Sequence, residues 1–277
     1  MSAVYHKIAQ PYRIQKRLAL NQSFKAIQLR AGVIDPLLYV TFGGQDLYDT
    51  LDLLGVFDLT QTSVKVISFE QDPDVVRLAR TCAVYQTLAR VKSVDVRVVF
   101  AAFPDGAEQL RKFRTPTPFI YFLDYTGTFR KKDGDTIHHL LETGLLREGD
   151  FLLITSCLSP RIVNQATFME GYKSTFELFY RDSKVDAAFR IRNHVDLLIA
   201  VALSEFERSS SNAGKRQVIS GELLKKFRYA DSQVAMGLWL YRLGTSASSR
   251  RLQDQKFDEF PHAFAAQQRK GLPEIFD

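Results

Sequence analysis

Five short apolar runs alternate with amphipathic stretches between positions 37 and 155. The runs are LLYVTF (37–42), VKVISF (64–69), VDVRVVF (94–100), FIYFLD (119–124) and GDFLLIT (149–155). Apolar residues recur with helical spacing in the segments between them. This alternation predicts βαβ units on a parallel sheet, and runs that are apolar almost throughout are typical of strands covered on both faces. The pattern therefore predicts an α/β fold with a doubly wound, mostly parallel sheet.

The two ends of this region carry other patterns. Residues 1–36 predict an N-terminal helical segment, which Pro11 starts or interrupts and Gly32 ends. Two further apolar-rich stretches, QVISGELLKKFRY (217–229) and QVAMGLWLYRL (233–243), are separated by a short polar junction. They predict a C-terminal antiparallel hairpin at the edge of the sheet.

These elements divide the chain into three parts. Residues 1–36 are the helical segment, 37–243 the main domain and 244–277 a tail that wraps the surface or stays partly mobile. The main domain contains an irregular insertion at about 157–215. Within it, VDLLIAVALSEFERS (195–209) fits a strand or a helix, and its length favours a helix.

Composition narrows the function classes. The chain has 277 residues, 45% hydrophobic and 25% charged, as in ordinary globular proteins. It has no apolar run of the roughly 18–20 residues that span a bilayer and no hydrophobic signal core, so we expect a cytoplasmic protein without a membrane partner. The net charge of +6 permits an anionic partner, or weak binding to nucleic acid. Metal-ligand spacings, a GxSxG elbow and a GxxxxGK[ST] phosphate loop are missing, which argues against metalloenzymes, serine hydrolases and P-loop NTPases.

Ligands of open parallel sheets collect outside the carboxyl ends of the strands. Gly43 and Gly44 follow the first strand, where glycines allow a sharp turn and a close approach of the backbone to a ligand. The alternative is a plain strand-to-helix turn, and a glycine pair alone does not decide between the two.

An acidic residue ends the second strand. Glu70 lies about 26 residues after Gly44, near the spacing at which a carboxylate accepts hydrogen bonds from ribose hydroxyls of a nucleoside cofactor. The alternative role is an N-cap for the next helix, but Asp72, directly before Pro73, suits that role better. We therefore interpret Glu70 as a ribose-binding residue.

Two further strand ends carry candidate residues. Ala102 and Phe103 follow the third strand, and Phe103 could form a wall for adenine or serve as an ordinary core residue. Asp124 follows five apolar residues at the end of the fourth strand, where a carboxylate is costly without a partner or a task. Tyr125 beside it could position a substrate group or cover a cofactor. We predict Asp124 and Tyr125 as catalytic residues, with a helix cap and an aromatic lid as the alternatives.

Residues 37–156 resemble the class I S-adenosyl-L-methionine-dependent methyltransferases, and residues 218–243 resemble them more weakly. LLYVTFGGQD is similar to the first motif of that family, KVISFEQDP to the acidic second, VVFAAFPDG to the third and PFIYFLDYTG to the fourth. The hairpin corresponds to the antiparallel strands that distinguish this family from dinucleotide-binding dehydrogenases. The resemblance implies a Rossmann-like fold, S-adenosyl-L-methionine as cofactor and an unknown methyl acceptor.

The resemblance also assigns residues. It places Gly43 and Gly44 near the methionine portion of the cofactor, with Asp46 beside them. It places Glu70 on the ribose, Gln71 and Ala102 near adenine, and Asp124 at the reaction centre. The chain departs from the family in its first motif, which usually has an acidic residue before a longer Gly-x-Gly-x-Gly. Here Thr41 and Phe42 precede the glycines, and Asp46 follows them.

Three functions are consistent with these residues. The favoured one is an active methyltransferase, and the irregular glycine motif supports a second, a catalytically inactive relative that acts as a protein or nucleic-acid interaction module. A nicotinamide-dependent oxidoreductase would also use Glu70, but it is expected to carry GxGxxG and gives no reason for the hairpin.

Overall fold

The computed structural model describes residues 11–42, 44, 47–125, 127, 129, 131–158, 220–231, 234–244 and 258–259. Most of the predicted insertion and most of the tail therefore lie outside the described residues. So do Gly43 and Asp46 of the glycine turn.

One sheet of eight strands organises the described residues. In chain order the strands are β1 Leu37–Thr41, β2 Val64–Glu70, β3 Val94–Phe100, β4 Phe119–Asp124, β5 Phe151–Cys157, β6 Ser220–Asp231, β7 Val234–Gly244 and β8 Asp258–Glu259. Their order across the sheet is β3-β2-β1-β4-β5-β7-β6-β8. Strands β1 to β5 pair in parallel, whereas β7 is antiparallel to both β5 and β6. The predicted α/β fold, doubly wound and mostly parallel with a C-terminal antiparallel hairpin, is confirmed.

Helices cover both faces of the sheet. They are α1 Pro11–Ala31, α2 Tyr48–Leu54, α3 Pro73–Thr81, α4 Ala83–Leu88 and α5 Lys131–Glu142, with a 3-10 helix over Asp105–Phe113. Buried residues of α1, α2 and α3 join one core with Tyr39, Val66 and Phe122 of the strands. The core on the other face contains α5, the 3-10 helix and Trp239. Every residue of β1 and β5 is buried, as expected of strands covered on both sides.

The helical segment after β2 differs from its prediction. The periodicity of residues 74–91 predicts one helix, but the structure ends α3 at Thr81 and starts α4 at Ala83. Cys82 between them has an extended backbone, and its sulfur accepts a hydrogen bond from the backbone N–H of Tyr85 at 3.3 Å. Cys82 therefore caps α4, a local hydrogen bond that competes with a continuous helix.

Other boundaries follow sequence signals. The carboxylate of Asp72 accepts from the backbone N–H groups of Asp74 and Val75, so the predicted N-cap of α3 is confirmed. Gly32 follows α1 with a φ of 69°, the left-handed conformation common after helix ends. No helix in the described ranges is long and apolar enough to cross a membrane.

Candidate functional site

The candidate site lies where the strand order reverses. Thr41, the last residue of β1, pairs with Ser68 of β2 on one side and Phe122 of β4 on the other. Glu70 and Asp124 each lie two residues further along their strands, so they flank the point where the chain leaves β1. Neighbouring strands are about 4.8 Å apart, which puts these two strand ends roughly 10 Å from each other. This is the crevice in which doubly wound sheets bind ligands.

Both acidic residues point to the same face of the sheet. Val66 and Phe122 belong to the core beneath α1 and α2. Because side chains alternate along a strand, Glu70 and Asp124, at even spacing from them, lie on that face too. The end of the sheet is therefore acidic on the α1 side.

The turn after β1 contains a glycine in the left-handed conformation. Gly44 has a φ of +57°, and a Cβ built there would meet no heavy atom within 4 Å. Glycine adopts this left-handed conformation without steric cost. At Gly44 the turn therefore adopts a conformation that favours glycine, and no described residue fills the space beside its Cα.

The carboxylate of Glu70 is held in place by the chain that follows it. One oxygen, Oε1, accepts from the backbone N–H of Gln71 at 2.8 Å and of Asp72 at 3.0 Å. The neighbouring carboxylate of Asp72 caps α3, whereas that of Glu70 accepts from the two residues before the helix. Phe100, opposite Glu70 in β3, is 60% exposed and offers an aromatic surface beside it that the sequence did not single out.

Asp124 is bound by residues from two other elements. The ammonium of Lys16 in α1 lies 2.7 Å from its Oδ2, and the Thr155 hydroxyl of β5 donates to its Oδ1. Lys16 also lies 5.7 Å from the centre of the Phe122 ring. The partner that we expected for a carboxylate at this position thus comes from the N-terminal helix.

Another carboxylate, which sequence reasoning missed, lies beside β1. Asp49 of α2 accepts from the hydroxyls of Tyr39 at 2.7 Å and Thr41 at 2.6 Å. Burial raises the pKa of Asp49, and it raises the pKa of Tyr39 well above its ordinary value. Nothing in the local pattern indicates this contact, because the chain must turn back through α2 to form it.

A further carboxylate ties α2 to α1. Asp52 is 3% exposed, and its Oδ1 pairs with the guanidinium of Arg17 at 2.9 Å. Its other oxygen is buried without a hydrogen-bond partner among the described residues. Burial, opposed by Arg17 and reinforced by the negative charge of Asp49, raises the pKa of Asp52 to about 7.

This pKa predicts a pH dependence of stability. The folded chain holds a proton on Asp52 up to about pH 7, whereas an unfolded aspartate releases it near pH 4. Between these values the folded state binds more protons, so the free energy of unfolding falls as pH rises, by at most roughly 1.4 kcal/mol per pH unit from this group. Asp52→Asn should flatten the dependence. Urea unfolding from pH 4 to 8 tests this, and wild-type and variant curves of equal slope would contradict it.

An aromatic cluster occupies the other side of the same strand ends. Its rings belong to Phe42, Phe69, Phe103, Tyr125 and Phe129. The ring centre of Phe103 lies 5.0 Å from that of Phe42 and 5.2 Å from that of Phe69. Gln71 and Ala102, the other predicted adenine neighbours, are exposed. The crevice therefore has an acidic side beneath α1 and an aromatic side opposite it.

Tyr125 lies within this aromatic side. Its ring centre is 6.1 Å from that of Phe42 and 5.6 Å from that of Phe129. Burial raises the pKa of its hydroxyl, and the negative charge of Asp133 in α5 adds to the effect. The ring thus lies at the crevice, while the hydroxyl is buried on the side of α5.

No group of three or more histidine, cysteine or acidic side chains in the described residues could hold a metal ion. The crevice offers the carboxylate oxygens of Glu70 and Asp124, which accept hydrogen bonds from hydroxyls and amines, and aromatic rings against which a planar base can pack.

The sequence matches no protein-family model and no curated protein. Among solved structures, the chain is similar to the magnesium protoporphyrin IX methyltransferase of Synechocystis PCC 6803 with bound SAH, at a TM-score of 0.48 and 9% identity over 87% of this chain and 89% of that one. It is also similar to a Podospora anserina methyltransferase with bound SAH, at a TM-score of 0.39 and 13% identity over 82% and 77% of the two chains.

Proposed function

We propose that this chain is an S-adenosyl-L-methionine-dependent methyltransferase with an unknown acceptor. The observation that carries the proposal is the position of Glu70 and Asp124 on either side of the β1 end, in a parallel sheet extended by the antiparallel strand β7. A carboxylate beside a glycine turn suits a nucleoside. Strand β7 adds an antiparallel strand to the sheet, which is not expected in a nicotinamide-dependent enzyme.

The residues present fit this cofactor. Oε2 of Glu70 would accept hydrogen bonds from the ribose hydroxyls, because Oε1 already accepts from two backbone N–H groups. Phe103, with Gln71 and Ala102, would border adenine. Gly44, together with Gly43 and Asp46, would approach the methionine portion.

The reacting end would face Asp124 and Tyr125. When bound, the cofactor supplies a methyl group on a positively charged sulfur, which becomes a neutral thioether after transfer. The chain's own contribution is alignment of the two reactants and exclusion of water, so acid–base machinery is not required. Asp124 would orient the acceptor, and the ring of Tyr125 would close the aromatic side of the crevice.

Calorimetric titration tests the assignment. S-adenosylmethionine and its demethylated product, S-adenosylhomocysteine, are each titrated into the protein, with NAD in parallel. We expect heat and a raised melting temperature with both sulfur ligands, since ligands that bind only the folded state stabilise it. Absence of both effects with both sulfur ligands would refute the proposal and favour the inactive interaction module, whereas binding of NAD alone would favour an oxidoreductase.

Glu70→Ala tests the ribose assignment. It should weaken S-adenosylmethionine binding by about 1.5–3 kcal/mol, the range for a hydrogen bond to a charged group. Asp72→Ala is the matched control, because it removes the neighbouring carboxylate that caps α3. That variant should lower the free energy of unfolding by about 1 kcal/mol and leave the dissociation constant unchanged. Equal affinities of the Glu70→Ala variant and the wild type would remove Glu70 from the site.

A further inference from the structure

The N-terminal helix delivers a positive charge to the acidic side of the crevice. Lys16 lies on α1, more than a hundred positions before Asp124 in the chain, yet its ammonium is 2.7 Å from Oδ2 of Asp124. The other oxygen of Asp124 is bound by the hydroxyl of Thr155. The lysine and aspartate side chains remain 25% and 21% exposed, so the pair borders the crevice and is not sealed in the core.

The charged residues near Lys16 and Asp124 have identifiable partners. Arg17, the next residue of α1, pairs with Asp52 at 2.9 Å. Lys16 also acts electrostatically on Asp49, whose carboxylate is held by Tyr39 and Thr41. Among the described residues, Lys16 is therefore the cation that interacts with both Asp124 and Asp49. Its positive charge offsets the negative charge on this side of the crevice.

We propose that Lys16 is a specificity-determining residue, which sets how strongly the site prefers a cationic sulfur ligand over a neutral one. The inference rests on the proposed function. A carboxylate without a counter-ion attracts a sulfonium, and a lysine paired with that carboxylate reduces the attraction. Strong attraction to the sulfonium would stabilise the bound cofactor more than the transition state, in which the charge on sulfur is declining, and would slow transfer. By reducing this attraction, Lys16 limits the decrease in the rate of methyl transfer.

S-adenosylmethionine and S-adenosylhomocysteine are suitable probes, because they differ only in the methyl group and the charge on sulfur. The measured quantity is the dissociation constant of S-adenosylhomocysteine divided by that of S-adenosylmethionine, obtained by calorimetry. Lys16→Met should raise this ratio about five- to tenfold, as expected from one charge acting over several ångströms near a protein surface. Lys16→Arg keeps the charge and should leave the ratio within about twofold of wild type.

Two variants of the same helix serve as controls. Arg17→Met breaks the adjacent ion pair with Asp52 and loosens α1 without touching Asp124. Lys25→Met removes a charge from an exposed position of α1. Both should leave the ratio within about twofold of wild type, because the charge of Arg17 is paired with Asp52 and that of Lys25 is exposed to solvent. The same increase in the Arg17→Met variant would show that helix loosening is the cause, and would overturn the proposal.

Asp124→Asn gives a prediction of opposite sign. It leaves the ammonium of Lys16 without its carboxylate, so the ratio should fall below that of wild type, even if Lys16→Met does not fold. If Lys16→Met or Asp124→Asn binds both ligands with the wild-type ratio, the proposed role of Lys16 is wrong, but the proposed function is not affected. Failure of the wild-type protein and all variants to bind either ligand would instead overturn the proposed function, and this inference with it.

Discussion

Asp150→Ala is expected to lower the free energy of unfolding by about 3–5 kcal/mol, the usual effect of removing one partner of a buried ion pair. The carboxylate of Asp150 is 1% exposed and accepts from Arg114 at 2.7 Å. It also accepts from the backbone N–H of Phe119 and of Arg147, each at 2.9 Å. Without it, the guanidinium of Arg114, 13% exposed and stacked 4.0 Å from the Phe119 ring centre, would be left without its counter-ion.

Urea unfolding followed by circular dichroism measures this loss. Asp95→Ala is the matched control, because Asp95 pairs with Lys65 and Arg97 on the surface and is 43% exposed. Exposed pairs contribute about 0–1 kcal/mol, so this variant should unfold close to wild type. If both variants lowered the free energy of unfolding by the same small amount, the Arg114–Asp150 pair would not contribute the stability that its burial predicts.

Trp239→Ala should cost a similar amount, about 3–5 kcal/mol, because it removes a fully buried aromatic side chain and leaves a cavity. The ring of Trp239 lies over Gly237, where an added Cβ would come within 2.3 Å of the ring. Gly237 pairs with Ser156, whose hydroxyl accepts from the backbone N–H of Phe129 at 2.8 Å and donates to the carbonyl of Gly127 at 3.2 Å. The hairpin thus supports the turn that follows Asp124.

A double-mutant cycle with Gly237→Ala tests this packing. Alone, Gly237→Ala should destabilise by about 1–3 kcal/mol, as an overpacked core does. In the Trp239→Ala background that penalty should disappear, because the ring that causes the clash is gone. Additive losses would show that the two residues do not contact each other. Leu29→Ala, at a residue 88% exposed, should change stability by less than about 0.5 kcal/mol.

The helix–strand alternation was predictable because its signal is local. Strands β1, β4 and β5 are apolar runs because both faces of the central sheet are covered, whereas β3, at the edge of the sheet, alternates buried with more exposed residues. The N-cap role of Asp72 was also predictable, because capping depends on the two or three residues that follow. The break at Cys82 was not, since periodicity continues through it and a single side-chain hydrogen bond decides it.

The acidic side of the crevice shows where prediction from sequence stops. Lys16 is one of several basic residues in the N-terminal helical segment, and Asp49 is one polar residue near the start of a short helix. Neither pattern names a partner, because the contacts with Asp124 and Thr41 exist only once α1 and α2 pack on the same face.

The fold class, strands β1 to β7 and the two acidic strand ends, Glu70 and Asp124, follow from local sequence patterns, because hydrophobic periodicity and the rule that ligands collect at carboxyl ends need only local information. The charge distribution of the crevice depends instead on how the helices pack against the sheet. Packing of α1 against the sheet brings Lys16 to Asp124, and the return of α2 brings Asp49 to Thr41. Charge at a site is a sum over neighbours in space, and those neighbours are distant in the chain.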